Sequence, residues 1–317
     1  MTNALVASRV DVSIVSPVYG CAGCLEELAE RVRLAMTPLG LTFELLLVDD
    51  GSPDGAWARI CEISAIHLWV KGVRLSRNFG QHYAISAGIV EAAGDRIVVM
   101  DCDLQDRPEE IPALLAAIHP GVDTVLAQRV ERQDGALKRL GSWSFYRALS
   151  WLTGVPHDHT TANFGVYSRR IIDLINSMPE SDRFFPLMVK WTGLPHALVE
   201  VDHGRRTEGK STYSLRRLVR LAVNVALSYS DKPLRMVVIT GLAFASLSLV
   251  VVAYSLYRYL SGDIQVAGYT SLIASVWLMG SLVLSSIGIV GLYLGRLFID
   301  AKRRPHFVVA ERTWSNA

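Results

Sequence analysis

The chain has 317 residues, of which 50% are hydrophobic and 20% are charged, and its formal net charge at pH 7 is only +2. So small a net charge gives no indication of a nucleic-acid partner, which would favour a strongly basic surface. The mean hydropathy of +0.28 is high for a soluble protein, and the excess is concentrated in the last third. The rest is long enough for one sizeable globular core.

Four cysteines are too few in a chain of this length to indicate a disulfide framework. Cys21 and Cys24 form a C-x-x-C pair, a spacing also found in zinc and redox sites. A zinc site needs a second ligand pair, and no second C-x-x-C follows, so we interpret both as small thiols packed at a strand-to-helix turn. The N-terminus lacks the apolar core of a secretory signal, which predicts a cytoplasmic first domain.

Strand-like apolar runs alternate with helix-like segments over the first two hundred residues. Such alternation predicts βαβ units and a mostly parallel α/β sheet with helices on both faces. The predicted strands are 10–16, 43–48, 70–75, 96–100 and 124–127. The predicted helices include 25–36, 81–93 and 108–118.

Polar and turn residues follow four of these strands, at the edge where ligands bind to parallel sheets. They are Pro17 and Tyr19 after the first strand, Asp49 and Asp50 after the second, Arg77 and Asn78 after the third, and Asp101 and Asp103 after the fourth. Two carboxylates one residue apart at a strand end are placed to share a divalent cation that also holds substrate phosphates. We therefore predict a nucleotide-sugar site that binds Mg²⁺ or Mn²⁺.

Two long runs near the C-terminus, 236–257 and 264–295, carry no formally charged residue. About 20 apolar residues suffice to span a bilayer, so the runs predict two transmembrane helices. Basic residues flank them at Lys232 and Arg235 before the first run, and at Arg296, Lys302, Arg303 and Arg304 after the second. The positive-inside rule places both ends in the cytoplasm. A pair of buried core helices is the less favoured alternative.

Two other segments, 137–152 and 214–229, combine arginine and lysine with leucine and aromatic residues. This composition is typical of helices in the headgroup layer of an anionic membrane, and it also fits core-facing helices with a solvated basic face. Gly291 and Gly295 have the G-x-x-x-G spacing that permits close helix contacts. Those contacts would lie either within the chain or between copies in a homo-oligomer.

Several short motifs together resemble those of family 2 glycosyltransferases, which have the GT-A fold. They are Pro17-Val-Tyr19, Asp49-Asp-Gly-Ser52, Ser76-Arg-Asn-Phe-Gly-Gln-His82, Ala87-Gly88 and Asp101-Cys-Asp-Leu-Gln105. The runs Gly209-Lys-Ser-Thr-Tyr213 and Pro233-Leu-Arg235, with the two apolar segments, are similar to the branch that charges a polyprenyl phosphate. That branch includes dolichyl-phosphate mannosyltransferases and bacterial undecaprenyl-phosphate glycosyltransferases. The resemblance covers nearly the whole chain.

The resemblance implies an inverting, metal-dependent transfer of a sugar from a nucleotide-diphosphate sugar to a membrane polyprenyl phosphate, such as undecaprenyl phosphate. The product would be a lipid-linked monosaccharide for cell-envelope glycan or lipid modification. The residues implied to hold the nucleotide are Pro17, Tyr19, Asp49, Asp50, Ser52, Asn78 and Asp101. Those implied to bind the metal are Asp101, Asp103 and Gln105, and the implied catalytic residues are Asp103, Asn163, Lys210 and Arg129.

The implied organisation is a Rossmann-like GT-A domain followed by membrane-associated segments. The cytoplasmic domain covers 1–212, a juxtamembrane amphipathic helix covers 213–232, two transmembrane helices cover 233–298, and a cytoplasmic tail covers 299–317. The expected location is the inner membrane, with several passes and with the catalytic domain in the cytoplasm.

Two positions depart from the family pattern. Gly20 and Cys21 stand where the family usually has Asn-Glu, and Asn163 stands where the branch usually has an acidic residue proposed as a base. An amide cannot accept the proton, and Asp158, although close in sequence, does not match the position. A phosphate monoester has a second pKa of about 6 and is already largely a dianion at pH 7. We therefore hypothesise that the enzyme uses no protein base and that its acceptor is a phosphate.

Two other functions remain open. A processive polysaccharide synthase would need more spans and a Gln-x-x-Arg-Trp motif, whereas the corresponding run Leu187-Met-Val-Lys-Trp191 lacks the glutamine. A catalytically degenerate membrane scaffold would account for Asn163 and the missing Asn-Glu. The intact trio of Asp101, Asp103 and Gln105 argues against a scaffold.

Overall fold

The computed structural model describes residues 10–129, 161–202, 232–261 and 268–314. These residues fall into two compact units. The first contains the described residues up to 202 together with 304–314, and the second contains 232–261 and 268–303. The segment 137–152 and the predicted juxtamembrane helix up to residue 231 lie outside the described ranges.

The first unit is an α/β domain built on one sheet. Its strands are β1 (Val12–Val18), β2 (Phe43–Asp49), β3 (Val70–Leu75), β4 (Arg96–Val99), β5 (Thr124–Arg129), β6 (Thr161–Ser168), β7 (His196–Val201) and β8 (Val309–Arg312). Its helices are α1 (Leu25–Met36), α2 (Ala56–Ile66), α3 (Gln81–Glu91), α4 (Ile111–Ala117), α5 (Arg169–Ser177) and α6 (Phe185–Trp191). Short 3₁₀ turns lie at Ala22–Cys24, Thr37–Leu39 and Pro108–Glu110.

The sheet has the strand order β7-β5-β6-β4-β1-β2-β3-β8. Strands β4, β1, β2 and β3 run parallel, as do β5 and β7, whereas β6 and β8 run antiparallel to their neighbours. All seven residues of β1 are buried, as expected for a central strand that is covered on both faces. The predicted mostly parallel α/β sheet is confirmed.

Helices cover both faces of the sheet, as predicted. One hydrophobic layer lies between the sheet and α1, α2 and α4, and the other lies between the sheet and α3, α5 and α6. Helix α3 approaches the sheet closely at Gly88, where a Cβ atom would lie 2.3 Å from Val15 Cγ1. Only glycine fits there, which gives a packing reason for the Ala87-Gly88 motif.

Several boundaries differ from prediction. The first strand ends at Val18 rather than at residue 16, because Pro17 and Val18 still pair with β2. The predicted helix 108–118 is divided into a 3₁₀ turn and α4, with Pro112 in the first turn of the α-helix. The predicted tail contains a strand, β8, which pairs antiparallel with β3.

The second unit contains two helices, α7 (Lys232–Leu260) and α8 (Tyr269–Ala301). Within the described part of the chain, one segment is long and apolar enough to cross a membrane, Leu278–Ala301 of α8. The apolar segment found in α7 is shorter, Leu234–Phe244. One of the two predicted transmembrane helices therefore contains a segment that is long and apolar enough to cross a membrane. That the chain has two transmembrane helices stays a prediction.

The expectation that Cys21 is an unpaired thiol is wrong, because Cys21 and Cys102 form a disulfide with a Cα–Cα distance of 6.8 Å. The two cysteines are 81 residues apart in sequence. They meet because β1 and β4 are neighbouring parallel strands, so the turns that follow them lie side by side. Cys24 is buried in the turn before α1, as predicted.

Reduction of the disulfide should destabilise the first unit, because a cross-link over a long loop restricts the unfolded chain. We expect dithiothreitol to lower the free energy of unfolding by about 2–4 kcal/mol, measured as a lower Tm of the purified protein. A Cys21→Ser variant should melt at the same temperature with and without dithiothreitol. Equal melting of the unsubstituted protein in both conditions would contradict the cross-link.

Candidate active site

Most of the predicted site residues lie at one edge of the sheet. Strands β4, β1, β2 and β3 are parallel neighbours, so their carboxyl ends, and the turns that follow, meet there. Tyr19 follows β1 and is 55% exposed. Pro17 differs from expectation, because it is a buried residue inside β1 paired with Val48 rather than a residue after the strand.

Asp49 is the last residue of β2, and its side chain is 1% exposed. Its Oδ1 accepts a hydrogen bond from the Ser52 backbone N–H at 2.9 Å. Its buried Oδ2 has no hydrogen-bond partner among the described residues, and Arg74 Nε lies 3.7 Å away. Burial raises the pKa of Asp49, opposed by the Ser52 N–H and by the charge of Arg74. A buried acceptor without a partner is costly, so Oδ2 is suited to accept a hydrogen bond from a ligand.

Ser52 connects the turn after β2 to the turn after β1. Its hydroxyl oxygen accepts the Gly20 N–H at 2.8 Å, and its O–H donates to Asp54 Oδ1. Asp54 Oδ2 accepts the Ala22 N–H at 2.9 Å. These bonds fix the turn that carries Tyr19. Asp54 was not among the predicted site residues, although an aspartate in a Ser-Pro-Asp-Gly run is a known signal for a side chain that bonds nearby backbone.

Asp50 connects the same turn to the one after β3. It is buried, and its two oxygens accept the backbone N–H groups of Phe79 and Gly80 at 2.7 and 2.8 Å. Burial raises the pKa of Asp50, and these two N–H groups oppose that effect. Asp50 therefore holds the loop that carries the exposed Asn78. Whether Asp50 also contacts a nucleotide, as the sequence predicts, stays a prediction.

Gly51 lies where the turns after β2 and β3 press against each other. Its φ is +66°, and a Cβ atom would lie 2.8 Å from both Arg77 C and Asn78 N. The Asp-Asp-Gly-Ser motif thus needs glycine for its backbone conformation and for the close approach.

Asp101 and Asp103 lie in the turn after β4, and both are half-buried. Gln81 Nε2 donates to Asp101 Oδ1 at 2.7 Å, and the Asp101 N–H donates to Asp106 Oδ2 at 3.1 Å. Asp103 Oδ1 accepts the Gln105 N–H at 3.1 Å. Gln81 and Asp106 were not predicted as site residues. Gln81 lies inside one of the motifs and Asp106 directly follows another, but which neighbour each one binds depends on the fold.

Leu104 shapes this turn, because its φ of +61° is unusual for a residue other than glycine. Backbone in such a region persists only where its surroundings hold it. Here the Leu104 side chain is buried in the core and Asp106 anchors the backbone. Asp101 and Asp103, the two candidate metal ligands, therefore lie on a turn that core packing and a hydrogen bond fix in place.

The donor set of this turn fits a hard divalent cation, since Asp101, Asp103 and Gln105 offer only oxygen and amide groups. No group of three or more His, Cys, Asp or Glu side chains that could hold a metal alone occurs among the residues the structure describes. Mg²⁺ and similar ions are commonly held by one or two carboxylates and complete their shell with phosphate and water. The Asp101 and Asp103 pair matches that arrangement.

Besides Asp103, two more of the four predicted catalytic residues lie at the same edge. Strand β6 is antiparallel to β4, with Gly165 opposite Val99, so Asn163 near its start lies beside the end of β4. Arg129 is the last residue of β5, which runs antiparallel to β6. Lys210, the remaining predicted catalytic residue, lies outside the described residues.

Replacing Gly51 should damage the site more than replacing its neighbour Gly55. Gly55 also has a positive φ, of +82°, but a Cβ atom there would meet nothing within 4 Å. We expect Gly55→Ala to cost about 1–2 kcal/mol of unfolding free energy from backbone conformation alone. Gly51→Ala should cost more and weaken nucleotide binding, measured by denaturant unfolding and by calorimetric titration. Equal losses of unfolding free energy and of nucleotide binding in the two variants would contradict the close approach of Gly51 to the backbone of Arg77 and Asn78.

Comparisons with known proteins agree with this architecture. Residues 13–173 match glycosyl transferase family 2. An uncharacterised glycosyltransferase of Synechocystis sp. is 32% identical over 303 residues, covering 95% of this chain and 95% of that protein. The undecaprenyl-phosphate 4-deoxy-4-formamido-L-arabinose transferase of Shewanella sediminis is 34% identical over 304 residues, covering 95% of this chain and 92% of that protein.

Among solved structures, the glucosyl-3-phosphoglycerate synthase of Mycobacterium tuberculosis, in complex with Mn²⁺, UDP and glucosyl-3-phosphoglycerate, superposes with a TM-score of 0.52. The two chains are 20% identical, and the match covers 71% of this chain and 81% of that one. At that identity the similarity shows the fold, which is GT-A-like. Since the family match spans half of the chain and the relatives span nearly all of it, the chain belongs to glycosyl transferase family 2 and is a glycosyltransferase.

Proposed function

We propose that the protein transfers a sugar, with inversion, from a nucleotide-diphosphate sugar to a membrane polyprenyl phosphate such as undecaprenyl phosphate. One observation carries the proposal: Asp49 Oδ2, which accepts no hydrogen bond from the residues that the structure describes, lies at the same sheet edge as the carboxylates of Asp101 and Asp103. A nucleoside needs a hydrogen-bond acceptor, its diphosphate needs carboxylates that can hold a metal ion, and the two must lie close together. The relatives named for undecaprenyl phosphate, matched over nearly the whole chain, support the acceptor.

In this proposal the nucleoside lies against the turns after β1, β2 and β3. Asp49 accepts a hydrogen bond from the nucleoside, Tyr19 contacts it from the turn after β1, and Asn78 contacts it from the turn after β3. Pro17, Asp50 and Ser52 hold those turns in place. The diphosphate lies at Asp101, Asp103 and Gln105, where bound Mg²⁺ or Mn²⁺ would offset the charge that develops on the leaving group.

The acceptor phosphate needs no protein base. Its second pKa of about 6 makes it largely a dianion at pH 7. One phosphate oxygen forms a bond to the anomeric carbon while the bond from that carbon to the nucleoside diphosphate breaks on the opposite face, which inverts the centre. Asn163 donates its amide N–H to a phosphate or sugar oxygen, and Arg129 and Lys210 offset the repulsion between donor and acceptor.

The membrane segments would bring this site to the lipid. We propose two transmembrane helices in 233–298, with both ends in the cytoplasm, and interfacial helices at 137–152 and 213–232. The apolar segment of α8 supports membrane attachment, and the G-x-x-x-G spacing of Gly291 and Gly295 would permit close helix contacts either within the chain or in a homo-oligomer. The lipid-linked monosaccharide would then be used for cell-envelope glycan or lipid modification.

The function is tested by incubating the detergent-purified protein with undecaprenyl phosphate, Mg²⁺ or Mn²⁺ and a panel of labelled nucleotide sugars. We expect label from one donor to enter the organic phase, and Asp103→Ala to abolish it. Asp173→Ala is the matched control, because this exposed α5 carboxylate follows β6 at the opposite edge of the sheet. Nucleotide binding without transfer from any donor would contradict undecaprenyl phosphate as the acceptor. No nucleotide binding at all would favour a catalytically degenerate scaffold.

The absence of a protein base predicts the behaviour of Asn163 variants. A positioned base contributes about 10²–10⁴-fold where the nucleophile must lose a proton. If the acceptor is already a dianion, Asn163→Asp should not raise kcat at pH 7, since the added carboxylate repels the phosphate. Steady-state kinetics of Asn163→Asp and Asn163→Ala measure this. A rise of tenfold or more in the aspartate variant alone would show that a base is needed.

A further inference from the structure

A row of charged side chains crosses the sheet from the candidate nucleotide site to the tail strand. Asp49 of β2 lies directly opposite Arg74 of β3, and Arg74 lies directly opposite Glu311 of β8. Residues that pair across neighbouring strands have side chains on the same face of the sheet. The Asp49–Arg74–Glu311 row therefore alternates acid, base and acid on one face.

The outer end of this row is an exposed ion pair with additional contacts to Trp57. Arg74 Nη1 donates to Glu311 Oε1 at 2.6 Å, and Trp57 Nε1 donates to Glu311 Oε2 at 3.2 Å. The Arg74 guanidinium also lies over the Trp57 ring, 5.9 Å from its centroid. Glu311 thus binds Arg74 through the outer nitrogen of the guanidinium, on the side away from Asp49.

At the inner end of the row, Arg74 and the buried Asp49 form an ion pair without a hydrogen bond. Arg74 Nε is 3.7 Å from Asp49 Oδ2, which is beyond hydrogen-bond distance. An arginine that faced Asp49 alone would favour a direct, often bidentate, pair with the carboxylate. That pair would occupy Oδ2, which accepts no hydrogen bond from any residue that the structure describes. Competition from Glu311 lets Arg74 place a positive charge beside Asp49 without covering its acceptor oxygen.

We propose that β8 is part of the donor site and that Glu311 is a positioning residue. Through Arg74, Glu311 keeps Asp49 Oδ2 available to an N–H or O–H group of a nucleoside diphosphate. The inference rests on the proposed role of Asp49 in nucleotide binding. It adds a segment from the far C-terminal end of the chain, which none of the motifs at the sheet edge includes.

Arg312, the neighbour of Glu311, provides a matched control. Successive residues of a strand face opposite sides of the sheet, and Arg312 pairs with Glu91 of α3, with 2.5 Å between Nη2 and Oε1. Replacing Arg312 therefore removes one ion pair from the same strand without touching the row. Glu311→Gln keeps the size of the side chain and removes only its charge.

The test is calorimetric titration of the full-length, detergent-purified protein with UDP, GDP and CDP in the presence of Mn²⁺. The diphosphate that the unsubstituted protein binds most tightly is then used for every variant. We expect Glu311→Gln to raise Kd by about fivefold, the upper end for an exposed ion pair. Arg312→Gln should leave Kd unchanged, and Asp49→Asn should raise it by more than Glu311→Gln does.

A double-mutant cycle shows whether Glu311 acts through Arg74. If it does, Arg74→Gln and the Arg74→Gln/Glu311→Gln double variant should have the same Kd. Once Arg74 is replaced, replacing Glu311 should have no further effect on binding. In steady-state assays, Glu311→Gln should raise the KM for the donor and leave kcat unchanged. Melting temperatures of the Glu311→Gln and Arg312→Gln variants show that both fold.

The outcomes separate the inference from the proposed function. Weak binding in Asp49→Asn together with unchanged binding in Glu311→Gln would overturn the inference and leave the role of Asp49 in place. Unchanged binding in Asp49→Asn would overturn both. Equal weakening in Glu311→Gln and Arg312→Gln would assign the effect to β8 pairing in general and would also overturn the specific role of Glu311.

Discussion

Buried carboxylates that accept backbone N–H groups hold the candidate site together. Asp50 binds the loop after β3, and Asp106 binds the backbone of Asp101 after β4. Each is nearly inaccessible to solvent, so each would be costly without its partners. Because the N–H groups belong to loops rather than to strands, satisfying these carboxylates fixes the loops relative to the sheet.

The parallel order of the central strands makes this arrangement possible. Strands β4, β1, β2 and β3 deliver four turns to one edge, where short side chains reach from one turn to the next. The Cys21–Cys102 disulfide adds a covalent connection between the neighbouring turns after β1 and β4. A site preorganised in this way loses little entropy when a ligand binds, which is the condition for precise positioning of donor and acceptor.

Asp49 and Asp50 differ in how far the surrounding backbone satisfies their carboxylates. Both oxygens of Asp50 are engaged by backbone, whereas Asp49 keeps one oxygen without a partner among the described residues. The two aspartates are adjacent in sequence and similarly buried, so burial alone does not explain this difference. In the proposal above, Glu311 of the tail strand β8 acts on Asp49 through Arg74.

Apolar periodicity, strand-end carboxylates and short motifs in the sequence predicted the mostly parallel sheet, the helices on both faces and the edge at which the site lies. These features are local, because each depends on residues a few positions apart. The motif at Asp49 to Ser52 also located a constrained turn of the candidate site, although not the reason for its glycine.

Only the tertiary structure decided which distant residues meet. The disulfide partner of Cys21, the N–H donors to Asp50, the Gln81 bond to Asp101 and the pairing of β8 with β3 each join segments that are far apart in the sequence or fold into separate elements. Such contacts follow from strand order and register, which arise when the whole core packs and which no local pattern contains. The sequence by itself thus determined the family and the sheet edge at which the candidate site lies, and the fold determined which distant side chains and backbone groups meet at that edge.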